Sequence, residues 1–166
     1  MLSEINAQVV DHGDRVAYMF LKTAQYRGIT DNNYLRNMAL ACVAHDIGAY
    51  KTEKFISLLN FDVTRTEEHC IYGYLFMKYF SPLKDFAEVL MYHHSFYDEK
   101  SKHNSKYFDD GVLIHLIDRI DIFSLGHNDE EVTKQITLAK GKNFNPKDVD
   151  DFIKANEKFH ILDHFF

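Results

Sequence analysis

The stretch LACVAHDIGAYKTE, residues Leu40–Glu53, places an ionisable pair, His45 and Asp46, at the end of an apolar helical run. Leu35, Met38, Ala39 and Cys42 recur at the i, i+3, i+4, i+7 spacing of one helix face. At about 100° per residue, Asp46 falls within about 20° of Leu35's direction, with His45 on the edge of the stripe. The spacing predicts a helix from near Asp31 to Gly48 that sends a carboxylate inward. An uncompensated buried carboxylate is costly enough to demand a proton, a cation or a metal.

The same pattern recurs along the chain. A helix from about Ser3 to Tyr26, closed by Arg27-Gly28, sets His12 on the face of Val9, Val16, Met19 and Phe20. A helix from Thr66 to about Tyr79 carries His69 on the line of Tyr72, Gly73, Phe76 and Phe80. Ser81 and Pro82 read as the N-cap and first position of a helix reaching His94, in which His93 shares the face of Phe86, Val89 and Leu90. A helix from Gly111 to Leu125 flanks Asp118 with Ile114, Ile122 and Leu125. Further helices are expected near Thr52–Leu59, over Asp129–Ala139 and from Pro146 onward, with residues 95–110 a polar loop.

These elements describe one all-α domain over residues 1–166, with no internal repeat or linker. Hydrophobic residues make up 46% and only two prolines interrupt them, so a substantial core is expected. A net charge of -6 and a pI near 5.9 argue against a nucleic-acid polymer or an anionic membrane as partner. No apolar run reaches the roughly 18 residues of a membrane span, and the opening residues lack a signal-peptide pattern. A cytoplasmic protein is expected, with Cys42 and Cys70 as reduced core thiols.

A single histidine on an apolar face is ordinarily a hydrogen-bonded core residue. Here His12, His45, Asp46, His69, His93, His94 and Asp118 supply five imidazoles and two carboxylates, with no surplus of buried-looking Lys or Arg to balance them. Imidazole with carboxylate is a ligand set for transition metals. Seven ligands are too many for one ion with an open position but suit two ions sharing a carboxylate, and Asp46 is the central candidate for the bridge.

At this point the sequence resembles the HD superfamily of metal-dependent phosphohydrolases, and within it the HD-GYP phosphodiesterase branch. HGDRVA at His12 looks like the opening His-x-x-Arg-Val motif, and AHDIG holds the His-Asp dyad. EEHCIYGY, YHH and HLIDRID follow in the family's order, and GKNFNPKDVDDFI is similar to its closing Phe-Asp-Pro segment. The resemblance implies an HD-type helical bundle with one divalent ion on His12, His45, Asp46 and Asp118, and a second on Asp46, His69, His93 and His94. Asp121, one turn from Asp118, is the alternative last ligand. Iron or manganese are the expected metals, with zinc, nickel or magnesium as alternatives.

Three positions depart from the family pattern. The Gly-Tyr-Pro motif is replaced by SFYDEKSKHNSKYF, the family's Lys after the dyad is Ala49, and a Glu four residues before the first His is Gln8, which favours two metals over three. The implied reaction is in-line hydrolysis of a nucleotide phosphate ester, cyclic di-GMP being the substrate of the branch. The attacking hydroxide would be activated between the ions, with Asp46 and His45 as catalytic residues. Arg15 and Lys51 are candidate phosphate contacts, and Tyr97, Tyr107 and Phe108 could stack on a base. His115 is a candidate support for a ligand; His103, His127, His160 and His164 are assigned nothing. Alternatives are a hydrolase of mononucleotides or other phosphate esters, a metal-bound nucleotide sensor or scaffold, and, more distantly, a di-iron oxygenase. A homodimer is compatible with all of them.

Overall fold

Asp31, Asn128 and Asn145 each begin a helix by accepting backbone N–H bonds that would otherwise go unmet. Asp31 takes the N–H groups of Asn33 (2.9 Å) and Tyr34 (3.1 Å). Asn128 and Glu131 form a reciprocal capping box, and Asn145 precedes Pro146 at the first helical position. The computed structural model describes residues 7–51 and 67–164. Within them run α1 (Ala7–Tyr26), α2 (Asn32–Val43), α3 (Glu67–Phe80), α4 (Ala87–Tyr92), α5 (Phe108–Ser124), α6 (Asp129–Leu138) and α7 (Pro146–Phe159). Short 3-10 turns cover Ile47–Lys51, Lys84–Phe86, Tyr97–Lys102 and Leu162–His164.

The protein is an all-α bundle, as expected. Among the described residues there is no strand, only an isolated bridge between Lys140 and Phe144, and no helix long and apolar enough to cross a membrane. Helix α5 is its axis: residues 111–122 are all buried, and the helix packs against α1, α4, α6 and α7. Ile114, Leu116, Ile117 and Ile120 join Val16, Met19 and Phe20 of α1 and Met38 and Cys42 of α2 in one apolar cluster. Each such side chain contributes about 1.5–3 kcal/mol on burial. Arg27 fastens the end of α1 to α7 through Asp148 (2.6 Å) and Asp151 (2.7 Å). Cys42 and Cys70 are both buried and reduced, and burial pushes the Cys42 thiol well up.

Several expected boundaries move, for identifiable reasons. Helix α2 stops at Val43 rather than Gly48 because His45 Nδ1 takes the Cys42 carbonyl at 2.6 Å, an acceptor the next helical turn would need. The chain then tightens through Ile47 N–H to Ala44 O (3.0 Å) and Ala49 N–H to Asp46 O (2.9 Å). Gly48 is a crossing point and not a helix stop. A Cβ there would lie 2.0 Å from His69 O and 2.6 Å from Gly73 N, so only glycine lets this turn touch α3.

That crossing also decides which face of α3 is buried. Cys70, Gly73 and Met77 face inward, whereas Tyr72, Phe76 and Phe80, expected on the inner line, are 46%, 45% and 79% exposed. Leu125, expected to flank Asp118, lies past the end of α5 and is exposed. Ser81 Oγ accepts the Leu83 N–H at 3.1 Å and makes a local turn, so α4 covers only Ala87–Tyr92 and His93 and His94 follow it in a turn. The expected loop over 95–110 contains the Tyr97–Lys102 turn and the first residues of α5. The expected helix at Thr52–Leu59 lies outside the described residues.

Gly48→Ala is expected to destabilise the protein by at least about 1–3 kcal/mol, the usual cost of overpacking. Urea unfolding followed by circular dichroism measures it, with Gly126→Ala, whose added Cβ meets nothing within 4 Å and whose φ is not positive, as the sterically open comparison.

Candidate metal centre

Five separate pieces of chain bring the seven ionisable residues to one place. Helix α1 carries His12, the turn after α2 carries His45 and Asp46, α3 carries His69, the turn after α4 carries His93 and His94, and α5 carries Asp118. His12, His45, His69, His93 and Asp118 are each at most 3% exposed. The ligand-type atoms of His12, His45 and Asp118 lie within 4.8 Å of one another, and so do those of His69, Cys70, His93 and His94.

Asp46 stands between the two groups, one oxygen toward each. Its Oδ2 is 3.5 Å from His45 Nε2 and 4.0 Å from His12 Nε2. Its Oδ1 is 3.5 Å from His69 Nε2 and 3.6 Å from His93 Nε2. Asp118 Oδ1 completes the first group, 3.2 Å from His12 Nε2 and 3.8 Å from His45 Nε2.

The rings are turned so that Nε2 points inward. His45 Nδ1 donates to Cys42 O and His93 Nδ1 to Leu90 O, both at 2.6 Å, while His12 Nδ1 donates to Asp121 Oδ2 at 2.7 Å. A carbonyl can only accept, so the Nδ1 tautomer is set and Nε2 is left to face the centre. Among the described residues, His45 Nε2, Asp46 Oδ1, His94 Nε2 and Asp118 Oδ1 are buried atoms with no hydrogen-bond partner. Orphaned polar atoms are costly in the interior, and all four are of the kind that ligates a cation. The donor set and its unmet valences therefore fit divalent metal.

The protonation pattern has the same origin. Burial opposes a charge on His12, but hydrogen bonds and the negative charge of Asp118 and Asp121 raise it to about 10. Asp46 and Asp118 are held well below the usual carboxylate range despite burial, Asp46 by His45 and His93 and Asp118 by Arg119, His12 and His45. Burial and the charge of His93 lower His69 to about 3, and the same causes depress His94. His93 is raised in spite of burial by its Cys70 and Asp46 neighbours. Its Nε2 lies 3.0 Å from that of His69, so the two imidazole nitrogens meet at a place where a cation would bridge them favourably.

Two arginines lie against the carboxylates of the centre, one of them, Arg119, not singled out by the sequence. Arg119 is 6% exposed and binds Asp118 Oδ2 through Nε (3.0 Å) and Nη2 (2.7 Å), which corrects the expectation that no buried cation balances the carboxylates. Arg15, expected to meet phosphate, grips Asp121 with Nε on Oδ1 (2.6 Å) and Nη2 on Oδ2 (2.7 Å). Asp121 thus stands behind His12, with both oxygens engaged, whereas Asp118 keeps one oxygen turned to the centre. Cys70, expected as a core thiol, has its Sγ 3.9 Å from His69 Nε2. The Lys51 side chain and residue 8's side chain lie outside the described part of the structure.

The remaining aromatic candidates are anchors. Phe108 is buried against Tyr92 and stacked on His103 (5.0 Å between centroids), and Tyr107 packs on Phe86. Tyr97 ties its backbone N–H to Asn143 O at 3.0 Å. His115 lies edge-on to His94 (5.4 Å), bonds Ser95 O through Nδ1, and is lowered to about 4 by burial and by Arg119. It props the His94 ring.

Over 154 aligned residues the chain is 29% identical to the 3′3′-cGAMP-specific phosphodiesterase 1 of Vibrio cholerae serotype O1. The chain is similar to a phosphodiesterase. The alignment takes in 85% of this chain but 35% of that protein, so the chain spans about a third of the relative's length. No protein-family model matches the chain, and no solved structure matches it.

Asp121→Ala removes the carboxylate that Arg15 grips and the partner of His12 Nδ1. A loss of about 3–5 kcal/mol is expected from breaking such a buried pair, read by chemical denaturation. Asp121→Asn, which keeps the shape, should lose less.

Proposed function

We propose that this protein is a metal-dependent phosphodiesterase of the HD type acting on a 3′,3′-linked cyclic dinucleotide. The observation that carries the reading is Asp46, a carboxylate with one oxygen offered to each of two imidazole groups. His12, His45, Asp46 and Asp118 would hold one divalent ion, and Asp46, His69, His93 and His94 the other. A pair of ions bound there supplies an activated water and neutralises charge on the phosphate oxygens. Similarity to a 3′3′-cGAMP phosphodiesterase supports the substrate class, and cyclic di-GMP belongs to the same class.

What the chain itself does follows from the geometry. His45 and His93 are locked in the Nδ1–H tautomer by carbonyls, so their lone pairs need no reorganisation on binding metal. Asp121 and Arg15 fix the His12 ring in the same way. Arg119 neutralises one oxygen of Asp118 and leaves the other for the centre. Asp46 orients the attacking water by its position between the groups.

A cleft of about 590 Å³ adjoins this centre, lined in part by Cys70, Tyr92, His94, Lys102 and His103. Its volume lies within the range of small-ligand sites, about 300–1,000 Å³. The Lys102 ammonium, paired to Glu99 at 3.3 Å on the rim, is the cation that would meet a phosphate or carbonyl oxygen there. With a chain of net charge -6, such a local cation matters for an anionic substrate.

Asp46→Ala is expected to lower bound metal as well as turnover, since both ions lose a ligand. Elemental analysis of manganese- or iron-loaded protein and chromatography of 3′3′-cGAMP and cyclic di-GMP digests read the two effects. Turnover should fall at least about a thousandfold, equivalent to about 4 kcal/mol. Full metal occupancy in the variant would contradict the bridging assignment, and failure of metal-loaded protein to cleave any cyclic dinucleotide would overturn the substrate class. Lys102→Ala should raise KM several-fold with kcat little changed.

A further inference from the structure

Cys70 differs from Cys42 in its surroundings. Cys42 is enclosed by the apolar cluster at the α1–α2 contact. Cys70, on α3 beside His69, is 4% exposed and has its sulfur 3.9 Å from His69 Nε2. Its ligand atom and those of His69, His93 and His94 all lie within 4.8 Å of one another.

We propose that the Cys70 sulfur is a ligand of the ion held by His69 and His93, giving that half of the centre a mixed nitrogen, oxygen and sulfur shell. The inference rests on the metal-dependent reading above and goes beyond its imidazole–carboxylate ligand set. Three observations support it. First, metal–nitrogen bonds of about 2.0–2.1 Å and a metal–sulfur bond of about 2.3 Å put tetrahedral nitrogen and sulfur ligands about 3.6 Å apart. The observed 3.9 Å needs only a few tenths of an ångström of closure. Second, His94 Nε2 and Asp46 Oδ1 are both buried without hydrogen-bond partners among the described residues, and unmet donors of this kind suit a cation. Third, Asp46 Oδ1 is 3.5 and 3.6 Å from the two imidazoles, which completes a cage of donors around one point.

The chemistry balances without a redox step. The Cys70 S–H bond breaks, its proton passes to solvent, and the sulfur lone pair forms the metal–sulfur bond. A thiolate on one side only makes the two halves unequal. The His12, His45 and Asp118 half offers hard nitrogen and oxygen donors, whereas the Cys70 half favours zinc, ferrous iron or cobalt over manganese or magnesium.

The test is X-ray absorption at the zinc edge on the zinc-loaded full chain. The expected spectrum contains a sulfur shell at about 2.3 Å beside the nitrogen and oxygen shell. Cobalt-loaded protein should show a sulfur-to-metal charge-transfer band in the near ultraviolet. Both signals should vanish in Cys70→Ser and persist in Cys42→Ala, and zinc affinity measured by chelator competition should fall at least about tenfold in Cys70→Ser. Bound zinc with a purely nitrogen and oxygen shell in the unmodified protein overturns the inference and leaves the metal-dependent reading standing. A sulfur shell that survives in Cys70→Ser also overturns it. Protein that takes up no metal at all overturns both.

Discussion

A carboxylate withdrawn from water must be compensated, and Asp46 is compensated from both sides at once. Imidazoles from α1 and the α2 turn approach one oxygen, and imidazoles from α3 and the α4 turn approach the other. No single helix could supply that arrangement, because residues on one helix face diverge along its axis. The bundle is therefore organised around one anion. The early end of α2, the crossing at Gly48 and the burial of α5 are the means by which five chain segments reach it.

The surrounding charges are graded. Asp118 is shared between the centre and Arg119, and Asp121 is spent wholly on His12 and Arg15. Arg119 on one oxygen of Asp118 and Arg15 on both oxygens of Asp121 hold the two carboxylates without filling the centre, and a carboxylate behind His12 makes that imidazole more electron-rich. The opposite half has Asp46, which reaches the imidazoles of His69 and His93. Its imidazoles are steadied by the Leu90 carbonyl, by His115 and by one another. The two halves thus differ in electrostatic character even before any difference in ligand atoms is considered.

Much of the centre was legible in the sequence because its seven members sit on, or just beyond, helices with apolar spacing. His12, Asp46, His93 and Asp118 could be placed by angle, His94 follows His93, and the ordered motifs carry the same seven residues. Arg119 was hidden for a definite reason. It lies about 100° from Asp118, which on an amphipathic helix would be the solvent side, but α5 is buried on all sides and has no solvent side over residues 111–122. Helix α3 misled in the opposite sense. It is apolar nearly all round, so periodicity could not choose a face, and the choice fell to the small side of the helix at Gly73, where the Gly48 turn meets it.

The sequence by itself determined the helical class, where α2, α6 and α7 begin, and the seven imidazole and carboxylate residues of the centre. These are properties of neighbouring residues, written in spacings of three and four and in side chains that reach their own backbone. Only the tertiary structure decided that Asp46 divides its oxygens between two groups, that Asp118 rather than Asp121 keeps an oxygen for the centre, and that Cys70 lies among imidazoles. Each of these depends on how segments far apart in sequence cross, and a crossing is set by backbone contacts such as Gly48 against His69 that no local pattern encodes.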